Sequence, residues 1–252
     1  MSGHSHWATI KHKKASKDAK RGKEWSKVLK VVMASAREGG GDPKINAKLA
    51  QALEKAKAVH VPKDTIDRVI QRATGQLDGF VIENVTYEGY GPGGTAVMIE
   101  TLTDNKNRTN PELKKIFEKH GGNLGAAGCV SWQFVKRGVI VFSAPGKTED
   151  EAMEIALDAG ADDISGREGT YEVVCETSDF ENVRKAIEAK EGVKIESAEL
   201  ALNPTSYVDL NAHDGRKILG LMEDLEDHDD VQSVASNFNL PPELVAEYEA
   251  QG

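Results

Sequence analysis

The spacing of apolar residues changes once, near residue 80, and that change limits the folds open to this chain. Before it, Ala19, Trp25, Val28, Leu29, Val32, Met33 and Ala36 recur at steps of three and four from Ser16 onward, the period of a one-sided α-helix. Gly39-Gly40-Gly41 and Asp42-Pro43 end that helix. Asn46 is placed to cap a second helix through Leu49, Leu53, Ala56 and Val59. Pro62 starts a third, with Ile66, Val69 and Ile70 inward and Gly75 at its end. Residues 1–15 lack apolar periodicity and read as an arm.

After Phe80 the texture becomes strand-like at Asn84–Tyr87, Thr95–Leu102, Val130–Val135, Gly138–Ser143, Tyr171–Glu176, Glu199–Leu202 and Val231–Asn237. Helical patterns intervene at Pro111–Lys119, Glu149–Ala159, Phe180–Ala189 and Asp214–Leu225, and Pro241-Pro242 precedes a short terminal helix. Strands outnumber helices and fall partly in adjacent pairs, so the expected class is α+β with antiparallel sheets, not a doubly wound fold. A chain of 252 residues has room for two or three such domains.

Charge divides the chain at about the same place. Residues 1–75 carry 17 Lys/Arg against 7 Asp/Glu, a net of +10; the remaining residues carry 15 against 34, a net of -19. A basic module joined to an acidic body points to nucleic acid as partner, because each phosphate neutralised releases condensed counterions. The candidate contacts are Trp7, Lys11, His12, Lys13, Lys14, Lys17, Lys20, Arg21 and Lys23. The lysines and Arg21 serve phosphates, while Trp7 and His12 can stack on unpaired bases. Lys13, Lys17, Lys20 and Lys27 recur at helical steps opposite the apolar stripe, so the first helix is expected to bury one face and present the basic one. The competing reading is a solvated basic face, with tryptophan as a core anchor; Trp25 and Trp132 are assigned to the core.

Cys129 and Cys175 match no disulfide framework or zinc-binding set and read as buried free thiols. No run approaches about 18 apolar residues, so a soluble, cytoplasmic protein without a membrane partner is expected. No nucleophile stands with a base and no ligand set with metal spacing, so neither catalytic activity nor a cofactor, metal or small-molecule substrate is expected. The carboxylates Glu223, Asp224, Glu226, Asp227, Asp229 and Asp230 read as a solvated helix end and loop.

Three motifs lie in the acidic part. Tyr87-Glu88-Gly89-Tyr90-Gly91-Pro92-Gly93-Gly94 lacks the Gly-Lys-Ser/Thr of a phosphate loop and reads as a tight hairpin, or as a loop in which Tyr87 and Tyr90 touch a partner. Thr103-Asp104-Asn105-Lys106-Asn107-Arg108-Thr109-Asn110-Pro111 offers Thr109 or Asn110 as a helix cap with Pro111 first in the helix. Equally, Asn105, Lys106, Asn107 and Arg108 offer a phosphate or base contact at that helix start. His120-Gly121-Gly122-Asn123-Leu124-Gly125 reads as a helix end and turn.

These motifs, together with Gly3 through Lys14, Asp18 through Lys23 and Ala36 through Pro43, run in an order that resembles the YebC/PmpR family over nearly the whole chain. The resemblance implies an N-terminal helical domain and two α+β domains, the third inserted in the second. On that division residues 1–78 form the arm and three-helix domain, 79–136 with 205–240 the second domain, and 137–204 the third. Members are described as DNA-binding transcriptional regulators; a mitochondrial relative activates translation, and ribosome-associated relief of stalling is described. His6 and Lys106 depart from the usual Lys and Arg, and Ala126-Ala127-Gly128-Cys129 from Thr-Asp-Gly-Ser. Lys106 lacks the two-pronged hydrogen bonding of arginine.

Three functions follow: a DNA-binding transcriptional regulator, an RNA-binding translation factor on the ribosome, and an acidic protein-interaction scaffold. No helix-turn-helix pair is recognisable, which disfavours base readout in a major groove. A lysine-rich arm with His and Trp leans towards unpaired RNA.

Overall fold

The computed structural model describes residues 19–77, 81–167 and 169–250. They divide into two compact units, one of the residues up to 129 with 216–234, the other of 130–215 with 235–250.

In the first unit, α1 (Ala19–Gly39), α2 (Ala47–Ala58) and α3 (Lys63–Ala73) enclose Val32, Met33, Ala36, Leu49, Ala52, Ala56, Ile66 and Val69. Asn46 does more than cap α2. Its Oδ1 accepts from the Leu49 amide at 3.0 Å, and its Nδ2 donates at 2.8 Å to the carbonyls of Ser35 and Gly40. One buried side chain thus closes the end of α1 onto the start of α2. Trp25 packs on this core and donates from Nε1 to the Val59 carbonyl at 2.8 Å, as a buried indole must to avoid a stranded donor.

The same unit holds a sheet of order β3-β1-β2-β9. Strands β1 (Glu83–Tyr90) and β2 (Ala96–Thr103) form an antiparallel hairpin, with Glu83 opposite Thr103 and Tyr90 opposite Ala96. Its turn is a 3-10 segment, Pro92–Gly94, in which Gly93 and Gly94 take φ of 71° and 77°, a region costly for any residue with a Cβ. Helix α4 (Lys106–Lys119) leads to β3 (Asn123–Leu124), which pairs antiparallel with β1. Strand β9 (Val231–Ser236) flanks β2, whose residues are buried except Glu100, as expected of a strand covered on both faces. Phe117 and Leu113 of α4, Ile99 of β2, and Ile218 and Leu221 of the later helix Ala212–Glu226 are fully buried. Leu102 belongs to the helical core instead.

The second unit carries an antiparallel sheet of order β5-β6-β4-β7: β4 (Phe134–Ser143), β5 (Asp163–Arg167), β6 (Thr170–Cys175) and β7 (Lys194–Pro204). Ile140 and Phe142 alternate with Tyr171, Val173 and Cys175 on the face covered by α5 (Glu149–Ala159) and α6 (Phe180–Glu188). A reciprocal Thr148–Glu151 box opens α5. Short strands β8 (Val208–Asp209) and β10 (Phe238–Asn239) pair in parallel, and α8 (Pro242–Ala250) follows. The helix that leads out of this unit, Ala212–Glu226, is α7.

The architecture is α+β, helices first and antiparallel sheet-plus-helix regions after, as the pattern predicts. Details differ. Val130–Val135 and Gly138–Ser143 are not two strands: Ser131–Gln133 is a 3-10 turn, and a single strand runs from Phe134 to Ser143. Strand β5, Asp-Ile-Ser-Gly-Arg, has one apolar residue and gave no signal. Trp132 is 74% exposed, not core. Cys175 is buried, whereas Cys129 is only half-buried; neither forms a disulfide, and burial is the leading influence that raises each thiol. Among the described residues no helix is long and apolar enough to cross a membrane.

Candidate nucleic-acid interface

Of the expected contacts, Trp7, Lys11, His12, Lys13, Lys14 and Lys17 lie outside the described residues. Lys20 and Arg21 fall in the first turn of α1. Lys23 follows one turn on, and its surroundings differ from a bare basic face. Its Nζ reaches Asp227 Oδ2 at 2.6 Å and the Asp227 carbonyl at 3.3 Å. Lys27 donates to the Glu226 carbonyl, and Lys30 to the Asp229 carbonyl at 3.0 Å and to Asp230 Oδ1. Three lysines of one helical stripe therefore meet the C-terminus of α7 and the turn beyond it. The attraction has two sources: carboxylate charge, and terminal helix carbonyls that have no partner within the helix.

The contacts differ in strength. Lys23 and Asp227 are 46% and 61% exposed, a setting in which an ion pair contributes about 0–1 kcal/mol. Lys30 and Asp230 are 16% and 1% exposed. Asp230 also accepts from Arg108 Nη2 at 2.8 Å and from the Thr109 hydroxyl at 2.6 Å. Burial alone would raise its pKa, but the hydrogen bonds from Lys30, Thr109 and Arg108 outweigh it and hold the carboxyl far below the usual carboxylate range. The acidic run is thus not uniformly solvated, since Asp230 is a buried anchor that joins α1, α4 and the entry to β9.

This anchor accounts for much of the Thr103–Pro111 motif. The cap of α4 is Asn105, whose side chain accepts from the Arg108 amide at 3.2 Å, not Thr109 or Asn110. Thr109 points inward, at 2.8 Å from the Thr103 hydroxyl, and Pro111 lies inside the helix instead of at its first position. The local pattern misplaced the cap because the inward turn of Thr109 depends on a carboxylate 121 positions away. Lys106 pairs with Glu83 at 2.5 Å, Arg108 also pairs with Asp104 at 2.9 Å, and Asn107 is exposed.

The glycine motifs meet each other. A Cβ on Gly122 would lie 2.5 Å from the Tyr90 carbonyl oxygen, so only glycine lets the two segments approach. Glu88, buried, accepts through Oε1 from the Gly128 amide and through its carbonyl from the Gly125 amide, both at 2.7 Å. The Tyr90 hydroxyl donates to the Cys129 carbonyl at 3.0 Å. Tyr87 is half-buried, its phenol raised by burial and opposed by Lys106. Tyr90 thereby holds the turn that follows β3, whereas Tyr87 lies towards Lys106 and Asp230. Asp224 is lowered by hydrogen bonds from Lys119 and His120.

Sequence reasoning missed Lys30 and Asp230; the helical spacing of Lys30 was visible, but its partner 200 positions away was not. Among the described residues no three His, Cys, Asp or Glu side chains are placed to hold a metal ion. In the second unit a cleft of about 280 Å³ is lined by Asp163, Ser165, Glu172, Val174, Asn203, Tyr207 and Asn239; its carboxylates suit it poorly to phosphate.

Two family models match the chain in succession. Residues 5–76 match the TACO1/YebC protein N-terminal domain, and residues 82–238 match the TACO1/YebC second and third domain. A protein of Dictyoglomus turgidum named "Probable transcriptional regulatory protein" is 48% identical over 97% of this chain and 98% of its own length. A namesake from Maridesulfovibrio salexigens is 49% identical over 99% of this chain and 100% of its own. The crystal structure of a conserved hypothetical protein from Aquifex aeolicus superposes with a TM-score of 0.80 at 42% identity, covering 94% of this chain and 97% of that one. With both family models matched in order along the sequence, the chain belongs to the TACO1/YebC family.

Proposed function

We propose that this protein is a non-enzymatic, nucleic-acid-binding regulator of gene expression that acts in the cytoplasm through its basic N-terminal segment. The observation that carries the reading is the +10 net charge of residues 1–75 in a chain whose full-length relatives are named as transcriptional regulators. The contacts are Lys11, Lys13, Lys14, Lys17, Lys20 and Arg21 on phosphates, with Trp7 and His12 on bases. Lys23 joins them when released from Asp227. We keep the division into domains at 1–78, 79–136 with 205–240, and 137–204 as part of this reading. DNA is the target that the relatives' names favour.

The test is direct binding of labelled duplex DNA and single-stranded RNA over a range of salt. Replacing Lys11, Lys13, Lys14 and Lys17 with alanine is expected to weaken binding and to flatten the salt slope by roughly 0.7–0.9 per lost phosphate contact. Unchanged binding by the quadruple variant refutes the basic-segment reading.

A second reading, an RNA-binding translation factor on the ribosome, draws on the interleaved Trp7 and His12 and on the net -19 of residues 76–252, which would repel a long duplex. Sedimentation of a lysate through sucrose separates the two. Salt-sensitive comigration with ribosomes supports the second, and its absence in gentle salt returns the weight to DNA.

A further inference from the structure

The lysine stripe of α1 is already occupied by oxygen. At Lys23 the donor is shared between a carboxylate oxygen and a main-chain carbonyl of the same residue, Asp227, at 2.6 and 3.3 Å. Lys27, one turn along, meets the Glu226 carbonyl. Two oxygens on one lysine, then a further oxygen at the next helical step, is the pattern a phosphodiester backbone would offer the same side chains. The end of α7 adds the partial negative charge of its terminal carbonyls to that of Asp227 and Asp229; both carboxylates favour the charged form of Lys23.

We propose that the turn from Glu226 to Asp230 is a built-in competitor for nucleic acid on α1, and that Asp227 sets how strongly Lys23 contributes to polyanion binding. The inference rests on the nucleic-acid-binding reading above and names the regulation of that same surface. The contacts are graded along the helix. Lys30 is largely shielded against Asp230, which is buried and tied to Arg108 and Thr109, so this end is fixed. Lys23 and Asp227 are exposed, so this end can open. The end that opens is the one nearest in sequence to Lys20, Arg21 and the basic segment before them, so a bound strand tracking that segment reaches Lys23 first. Opening exchanges an exposed ion pair, worth about 0–1 kcal/mol, for a phosphate contact that also releases counterions.

The test uses the full-length protein and a fluorescein-labelled single-stranded RNA of about 20 nucleotides, long enough for a full binding site. Anisotropy titrations at several salt concentrations compare the wild type with Asp227→Asn, Lys23→Ala, the double variant and Asp150→Asn. The last removes one exposed carboxylate from α5 and reports the effect of net charge alone. Asp227→Asn is expected to bind roughly two- to five-fold more tightly, with a salt slope steeper by about 0.7. Asp150→Asn should gain far less, and the gain from Asp227→Asn should vanish in the Lys23→Ala background. Thermal melts accompany each titration; should Asp227→Asn prove misfolded, Asp227→Ser takes its place. A gain no larger than that of Asp150→Asn, or one that survives without Lys23, overturns the competitor. If the wild type and every variant bind neither this RNA nor a duplex DNA, the nucleic-acid reading itself falls and the competitor with it.

Discussion

Replacing Asp230 with alanine tests whether the charged knot under α1 holds the first unit together. The carboxylate is 1% exposed and accepts from Lys30, from Arg108 at 2.8 Å and from Thr109 at 2.6 Å. Removing one partner of a buried ion pair costs about 3–5 kcal/mol, because the other charge stays behind without compensation. Two features of the site reduce that figure. Arg108 keeps Asp104 at 2.9 Å, and Lys30 keeps the Asp229 carbonyl at 3.0 Å. The lower end, about 3 kcal/mol, is therefore expected, a large share of a typical stability of about 5–15 kcal/mol. At this chain length it corresponds to a drop of roughly 6–12 °C in Tm.

Urea unfolding at pH 7 supplies the difference, and repeating it at lower pH tests the cause. The folded-state pKa of Asp230 is depressed, so its contribution is complete above the unfolded carboxyl value of about 4 and declines as pH falls below it. The gap between wild type and Asp230→Ala should narrow steadily as pH falls from about 4 to about 2. A loss below about 1 kcal/mol at pH 7, or a gap that stays constant through that range, refutes the reasoning.

Two further outcomes follow from single contacts. Asn46→Ala removes one accepting and two donating hydrogen bonds from a buried junction; a loss of about 2–3 kcal/mol in urea unfolding is expected, with Asn46→Asp recovering only part because it keeps the cap and lacks the donors. Gly122→Ala forces its Cβ against the Tyr90 carbonyl oxygen and should cost about 1–3 kcal/mol, with faster amide exchange at the β1–β3 pairing; protection equal to the wild type would contradict the close approach.

Local chemistry made several elements legible in the sequence alone. The apolar steps from Ala19 to Ala36, the cap at Asn46 and the glycines of the Tyr87–Gly94 hairpin need only the residues beside them, and the structure repeats them. The family motifs were legible for the same reason, being contiguous. Where the pattern failed, the deciding partner lay elsewhere in the chain. Strand β5 is held by pairing with β6, not by its own single isoleucine. The cap of α4 moved from Thr109 to Asn105 because Asp230 draws Thr109 inward. The basic stripe of α1 read as a solvent face; Lys23, Lys27 and Lys30 instead meet a turn about 200 positions away. Sequence determined which residues carry charge, turn or cap, since those properties belong to single side chains and short segments. Which charges remain available to a partner was decided only by the tertiary structure, because neutralising a lysine takes a carboxylate within about 4 Å, and no spacing rule along the chain brings Asp227 to Lys23.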